Sequence, residues 1–278
     1  MTTAIRRPAV AGRFYSANAQ RLRAEVETFV TPSASPGHAG AEEKIAALGC
    51  IAPHAGYVYS GAVAGALYRR LLLPRRCVIL CPNHTGQGEP LAIMSIGAWR
   101  TPLGDAPIDS DLAAALTAET SLLCEDQEAH RYEHALEVQL PFLQVLRPDF
   151  QFVPITVGTS NFESLSALGE AIGRVLSALP EPALVIASSD MNHYENDAVT
   201  RVKDRRAIEQ VLALDARGLY ETVRQGNISM CGYAPATVML TTARRLGATK
   251  AELVRYATSG EVSGDHDMVV GYAGIAVY

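Results

Sequence analysis

Four residues of this chain have the type and placement to bind a metal ion or move protons: His54, His84, His193 and Cys231. His54 stands in Ile51-Ala52-Pro53-His54-Ala55-Gly56-Tyr57, and His84 in Pro82-Asn83-His84-Thr85-Gly86. His193 closes Ser188-Ser189-Asp190-Met191-Asn192-His193. Each follows closely on an apolar run that reads as a β-strand. A lone loop histidine is ordinarily solvated, but three at one topological address among only seven in the chain favour a common site. A neutral imidazole ligates zinc, copper, iron or nickel through one nitrogen and needs an acceptor for the other. Asp190 is a candidate for that acceptor, and reads equally well as a helix cap. Cys231 lies in Ser229-Met230-Cys231-Gly232-Tyr233-Ala234-Pro235, before a helix whose early proline suits its first turn. A helix N-terminus lowers a thiol's pKa and favours a thiolate for metal or redox chemistry. Taken alone, a small buried cysteine is the simpler reading.

A second cluster, His130-Arg131-Tyr132-Glu133-His134-Ala135-Leu136-Glu137, opens a predicted helix over 134–146. His134 and Glu137 would share one helical face, either as an acid–base pair aimed at the site or as surface partners. His38 and His266 read as exposed, without a role. Gly86-Gln87-Gly88 lacks the third glycine of a dinucleotide fingerprint. There is no phosphate loop and no Gly-x-Ser-x-Gly elbow.

These residues need a scaffold, and the apolar pattern supplies one. Strands are expected at 45–52, 77–81, 91–96, 152–157, 183–188, 253–257 and 268–277. Helices are expected at 18–30, 60–72, 109–118, 134–146, 162–179, 196–212, 216–225 and 234–246. Runs such as Cys77-Val78-Ile79-Leu80-Cys81 are apolar throughout, as in strands covered by helices on both faces. The fold class is therefore α/β: one layered domain over 1–278, with a central mixed, largely parallel sheet flanked by helices. Such sheets bind ligands beyond the carboxyl ends of their strands, where the three histidines fall. The Ser/Pro/Gly/Ala stretch 33–42 reads as a loop.

Composition narrows the function by exclusion. A net charge of -5 offers no basic face for nucleic acid or anionic lipid. No run reaches the ~18 apolar residues of a membrane helix, and the first residues lack a signal-peptide core. A cytoplasmic protein with no nucleic-acid or membrane partner is expected. Its five scattered cysteines then read as reduced thiols, with Cys50, Cys77 and Cys81 as small buried hydrophobes.

Nearly end to end, the sequence resembles the Memo family, called AmmeMemoRadiSam system protein B in microbial genomes. The resemblance rests on Arg7-Pro8-Ala9-Val10-Ala11-Gly12-Arg13-Phe14-Tyr15, Ala52-Pro53-His54-Ala55-Gly56-Tyr57, Pro82-Asn83-His84 and Arg100-Thr101-Pro102-Leu103-Gly104. It continues through Glu133-His134-Ala135-Leu136-Glu137, Leu140-Pro141, Ser188-Ser189-Asp190 with His193, and Cys231-Gly232 with Pro235. It implies a fold similar to class III extradiol dioxygenases and a two-histidine, one-cysteine metal site formed by His54, His84 and Cys231. By the same resemblance His193 is the proton-transfer histidine, His134 a second acid–base histidine and Asp190 a near-site residue. A thiolate in place of the dioxygenases' carboxylate is softer and more electron-donating, which disfavours ring cleavage. Glu261 and Asp265 are the remaining acids to consider as an oxygen ligand.

The leading expectation is an iron- or copper-dependent oxidoreductase acting on an unidentified small substrate, with iron the first choice of metal. Zinc-dependent hydrolysis is the weaker enzymatic alternative. The other class of function is a non-catalytic metal-binding or adaptor protein that takes a metal or peptide. The microbial family name implies radical-SAM and AMMECR-type partners.

Overall fold

The computed structural model describes residues 4–31 and 43–278. The expected 33–42 loop and His38 lie outside the described residues. Among the described residues, twelve strands occur in chain order: β1 (Ile5–Arg6), β2 (Gly49–Ala52), β3 (Arg76–Pro82), β4 (Leu91–Ile93), β5 (Ala98–Thr101), β6 (Gly104–Pro107), β7 (Cys124–Glu125), β8 (Gln151–Val157), β9 (Ala183–Ser188), β10 (His193–Glu195), β11 (Ala251–Thr258) and β12 (Val269–Val277). The main sheet runs β10-β12-β2-β9-β3-β8-β4-β7, with β11 also paired to β12, while β1-β5-β6 form a small separate sheet. Strands β2, β9, β3 and β8 are mutually parallel, and β4 and β12 flank them antiparallel.

Strand alternation explains why the central runs are apolar throughout. Val78 and Leu80 of β3 face one hydrophobic core, and Cys77, Ile79 and Cys81 face the other. Helices Phe162–Ser177 and Tyr233–Arg245 cover the first face, and Ala19–Val30 and Tyr57–Arg70 the second. Cys50, Cys77 and Cys81 are fully buried hydrophobes, as expected.

The parallel centre positions the site. Strands β2, β9 and β3 are neighbours in that order and end on one edge, so Pro53-His54, Ser189-Asp190 and Asn83-His84 emerge side by side. One expected element is different. No helix begins at His134: the chain passes through turns to a 3-10 helix, Glu137–Gln139, and becomes α-helical only over Leu140–Leu146. Among the described residues, no helix is long and apolar enough to cross a membrane.

Candidate metal centre

His54 lies two residues beyond the end of β2 and is buried. Its ring is held by Ser188, the last residue of β9, whose Oγ lies 3.0 Å from Nδ1. The Ser188 hydroxyl donates to the Ala135 carbonyl at 2.6 Å and accepts from Gln139 Nε2 at 2.8 Å. With its only proton committed, Ser188 can only accept from the imidazole, so Nδ1 of His54 carries the hydrogen. Nε2 then presents its lone pair to Cys231 Sγ, 3.2 Å away. Asp190 has another task than the expected one: its Oδ1 accepts the His54 backbone N–H at 2.7 Å, and the imidazole's acceptor is Ser188.

His84 follows the same logic with a stronger partner. Its Nδ1 lies 2.9 Å from Glu133 Oε1, and its backbone N–H donates to Oε2 at 2.6 Å. A carboxylate only accepts, so Nε2 of His84 is again the free nitrogen. The His54 and His84 rings meet edge to face at 5.2 Å. His134 stacks on His84 at 4.7 Å, with Phe14 at its far edge.

Cys231 reaches the site because helix Tyr233–Arg245 starts hard against the end of β9. A Cβ on Gly232 would stand 2.4 Å from the Ser188 carbonyl oxygen, so glycine alone permits that approach. The Gly232 N–H donates to Ser189 Oγ and ties the helix start to the strand.

Electrostatics sets the protonation states of these groups. Burial, then the charge of His84, lowers His54 to about 3, so this ring is neutral. Burial and His54 lower His134 to about 4. Burial acts to raise Glu133, but its hydrogen bond and charge interaction with His84 prevail and hold it at about 2. That pairing shifts His84 upward against its own desolvation. Burial raises Asp190. Burial and the neighbouring Asp190 also raise Cys231, contrary to the expected lowering at a helix start. The protonated thiol must therefore lose its proton when it ligates a metal.

Donor atoms of His54, His84 and Cys231 all lie within 4.8 Å of one another. Metal–nitrogen and metal–sulfur bonds of ordinary length at a tetrahedral centre imply donor separations of about 3.5 Å. The His54–Cys231 distance of 3.2 Å comes within a few tenths of that. These residues fit an ion. His84, Glu133 and His134 also cluster within 4.8 Å, but Glu133 Oε1 already accepts from His84 Nδ1 and the Ala135 N–H. That second group therefore orients the first.

The three donors open onto a cavity of about 570 Å³, shared with His134, Asp190, His193, Phe14, Tyr194 and Val270. Six of the candidate residues named from the sequence, His54, His84, His134, Asp190, His193 and Cys231, thus come together. Others do not. Glu137 faces away from His134 and buries its carboxylate against the Arg6 guanidinium, Tyr15 Oη and the Ala9 and Val10 N–H groups. It is neither an acid–base partner nor a surface group. Glu261 pairs with Arg201 at 3.0 Å, and His266 and Asp265 are exposed, all outside the cavity lining. The contributors that sequence reasoning missed are Glu133, Ser188 and Gln139. Glu133 had one available signal, its position beside His134 as an acid within reach of an imidazole.

An α/β sheet with a His/His/Cys group at the carboxyl edge of its parallel strands defines a candidate metalloprotein of the doubly covered sheet class. The chain belongs to the Memo-like family: the model of the Memo-like protein matches residues 6–276. MEMO1 family proteins resemble it over almost their whole length. That of Methanothermobacter thermautotrophicus is 42% identical over 97% of this chain and 99% of its own. That of Methanopyrus kandleri is 44% identical over 97% and 98%. In fold, the chain also resembles the crystal structure of an uncharacterized protein from Escherichia coli K12, with a TM-score of 0.53 and 12% identity, covering 82% of this chain and 98% of that one.

Proposed function

We propose that this protein is a metal-dependent oxidoreductase in which His54, His84 and Cys231 hold a redox-active ion, iron before copper, beside a cavity for a small substrate. The observation that carries this reading is the spent Nδ1 of both histidines: each has an acceptor, which leaves two Nε2 lone pairs and one thiol converging on a solvent-facing space. Three protein donors are the number found where a metal keeps a position for an exogenous ligand. A redox-active ion bound there supplies electron transfer to or from a molecule in the cavity.

The chain's own residues do the rest. Ser188 and Glu133 fix the two imidazoles, and Asp190 fixes the His54 backbone. His193, on the cavity wall, is placed to take a proton from the substrate or return one at Nε2. His134 stays neutral below the usual imidazole range and offers a hydrogen bond beside His84.

Metal content of the wild type compared with His54→Ala, His84→Ala and Cys231→Ser tests the ligand set, which loses the ion in each variant. Anaerobic iron(II) loading followed by oxygen uptake over catechols and other small molecules tests the reaction. Metal retained by all three variants would sink the site. Tight binding without turnover, and with no exchangeable ligand on the metal, would favour the metal-binding or adaptor reading. Zinc as the native ion would point to hydrolysis. Radical-SAM and AMMECR-type partners are a separate proposal, checked by co-purification with the tagged chain.

A further inference from the structure

We infer that Asn192 and Ser229 are positioning residues that select the tautomer of His193. Among the described residues the ring has one hydrogen-bond anchor: Nδ1 lies 2.9 Å from the Ser229 carbonyl oxygen. A carbonyl can only accept, so in the neutral ring Nδ1 holds the hydrogen and Nε2 is the basic nitrogen left to the cavity. The Ser229 peptide is itself clamped. Its N–H donates to Asn192 Oδ1 at 3.0 Å and its hydroxyl to the same oxygen at 3.1 Å, while Ser229 Oγ accepts the His193 backbone N–H at 2.7 Å.

Asn192 is fully buried, and its amide has only one workable orientation. Nδ2 donates to Glu195 Oε2 at 2.7 Å and Thr200 Oγ1 at 3.3 Å. A flipped amide would set its oxygen against a carboxylate and its NH₂ against the Ser229 N–H. The backbone is equally committed, with the Asn192 N–H on Asp204 Oδ1 at 2.8 Å and its carbonyl accepting from the Gly271 N–H at 2.9 Å. Every polar group of this residue is satisfied, and the side-chain oxygen is devoted to the one peptide whose carbonyl orients His193.

The inference rests on the proton-transfer reading of His193, but its measurement does not require turnover. The full-length, metal-free protein labelled with ¹⁵N-histidine, held above neutral pH, gives long-range ¹H–¹⁵N correlations that distinguish the two tautomers. His193 is assigned by the signals lost in His193→Gln. The wild type should show Nδ1 protonated. Ser229→Ala keeps the carbonyl and its N–H bond to Asn192, and should keep that tautomer. Asn192→Ala removes the accepting oxygen and should yield a mixture of both forms. A wild-type ring protonated at Nε2 would overturn the inference, and that result is available even if Asn192→Ala does not fold. An unchanged tautomer in a folded Asn192→Ala would overturn it as well. An inactive protein with the expected spectra would instead count against the oxidoreductase reading and leave the clamp standing.

Discussion

The Nδ1 atom of His84 lies 2.9 Å from Oε1 of Glu133, a carboxylate without solvent exposure that also accepts the His84 backbone N–H. Two bonds from one acid fix both the position of the residue and the tautomer of its ring. Glu133→Gln replaces one acceptor oxygen with a donor and leaves the ring free to choose its tautomer. Groups that orient a ligating histidine typically cost about 10–100-fold in metal affinity when lost. Zinc affinity of Glu133→Gln, measured by chelator competition, should fall by that order. An unchanged affinity would show that the backbone alone orients His84.

Glu137 illustrates a carboxylate whose work is structural. It is fully buried with Arg6 as its counter-ion and accepts three further hydrogen bonds, pinning the segment from Arg6 to Tyr15 to the core. Removing one partner of such a pair strands a buried charge and costs about 3–5 kcal/mol. Glu137→Ala should therefore lose that much in urea unfolding, and Glu137→Gln less, since its amide oxygen keeps one acceptor. A loss below about 1 kcal/mol would mean that Arg6 finds water in the variant.

The contrast between Glu133 and Glu137 shows what the sequence could reveal. The three histidines were legible because parallel strands end on one edge, and an apolar run marks a central strand without ambiguity. Their orienting partners were not legible. Glu133 meets His84, Ser188 meets His54, and Gln139 in turn meets Ser188, across long stretches of chain that only tertiary packing closes. The expected helix at His134 failed for a local reason: the apolar spacing from Leu136 through Leu146 is helical, but Glu133 and His134 precede the turn at Ala135 and Leu136, with the Glu133 carboxylate committed to His84 and the Ala135 N–H. Without a helix there, the three-residue spacing of His134 and Glu137 no longer places them on one face. Strands such as β1 and β7, two residues each, carry too little pattern to be seen.

Asp204 gives a pH dependence of definite sign. Burial raises its carboxyl from 3.8 to about 6, opposed by hydrogen bonds from Tyr256 Oη and the Asn192 N–H. An acid raised in the folded state favours folding while it is protonated in that state. Its contribution is complete below about 4 and is lost as pH rises to about 6. At roughly 1.4 kcal/mol per pKa unit the effect is about 3 kcal/mol at most. Glu133, held at about 2, acts in the opposite sense and loses its contribution only as pH falls from about 4.5 towards 2. Asp204→Asn keeps an acceptor for Asn192 and removes the titration. The stability difference between variant and wild type should therefore move in the variant's favour between pH 4 and pH 6.5, by urea unfolding at each pH. A difference independent of pH would refute the assignment.

Tyr194 carries strain beside the cavity. Its φ is 60°, in the left-handed region, and it interrupts the register of β10 against β12 between His193 and Glu195. Adjacent residues of a regular strand face opposite sides, yet both His193 and Tyr194 line the cavity. The bulge resolves that conflict: one left-handed residue re-aims the side chains, as bulges near functional sites do. A tyrosine held there costs about 1 kcal/mol, asparagine tolerates the region, and a β-branched residue is the least compatible. Tyr194→Asn should therefore fold with stability equal to the wild type or above it, whereas Tyr194→Val should lose about 1–2 kcal/mol. The histidine spectra described above add a second readout. Because the bulge also sets where His193 meets Ser229, Tyr194→Val should give a mixture of His193 tautomers, and Tyr194→Asn should keep Nδ1 protonated. If valine is as stable as asparagine and the spectra coincide, the left-handed residue is not what aims His193 into the cavity.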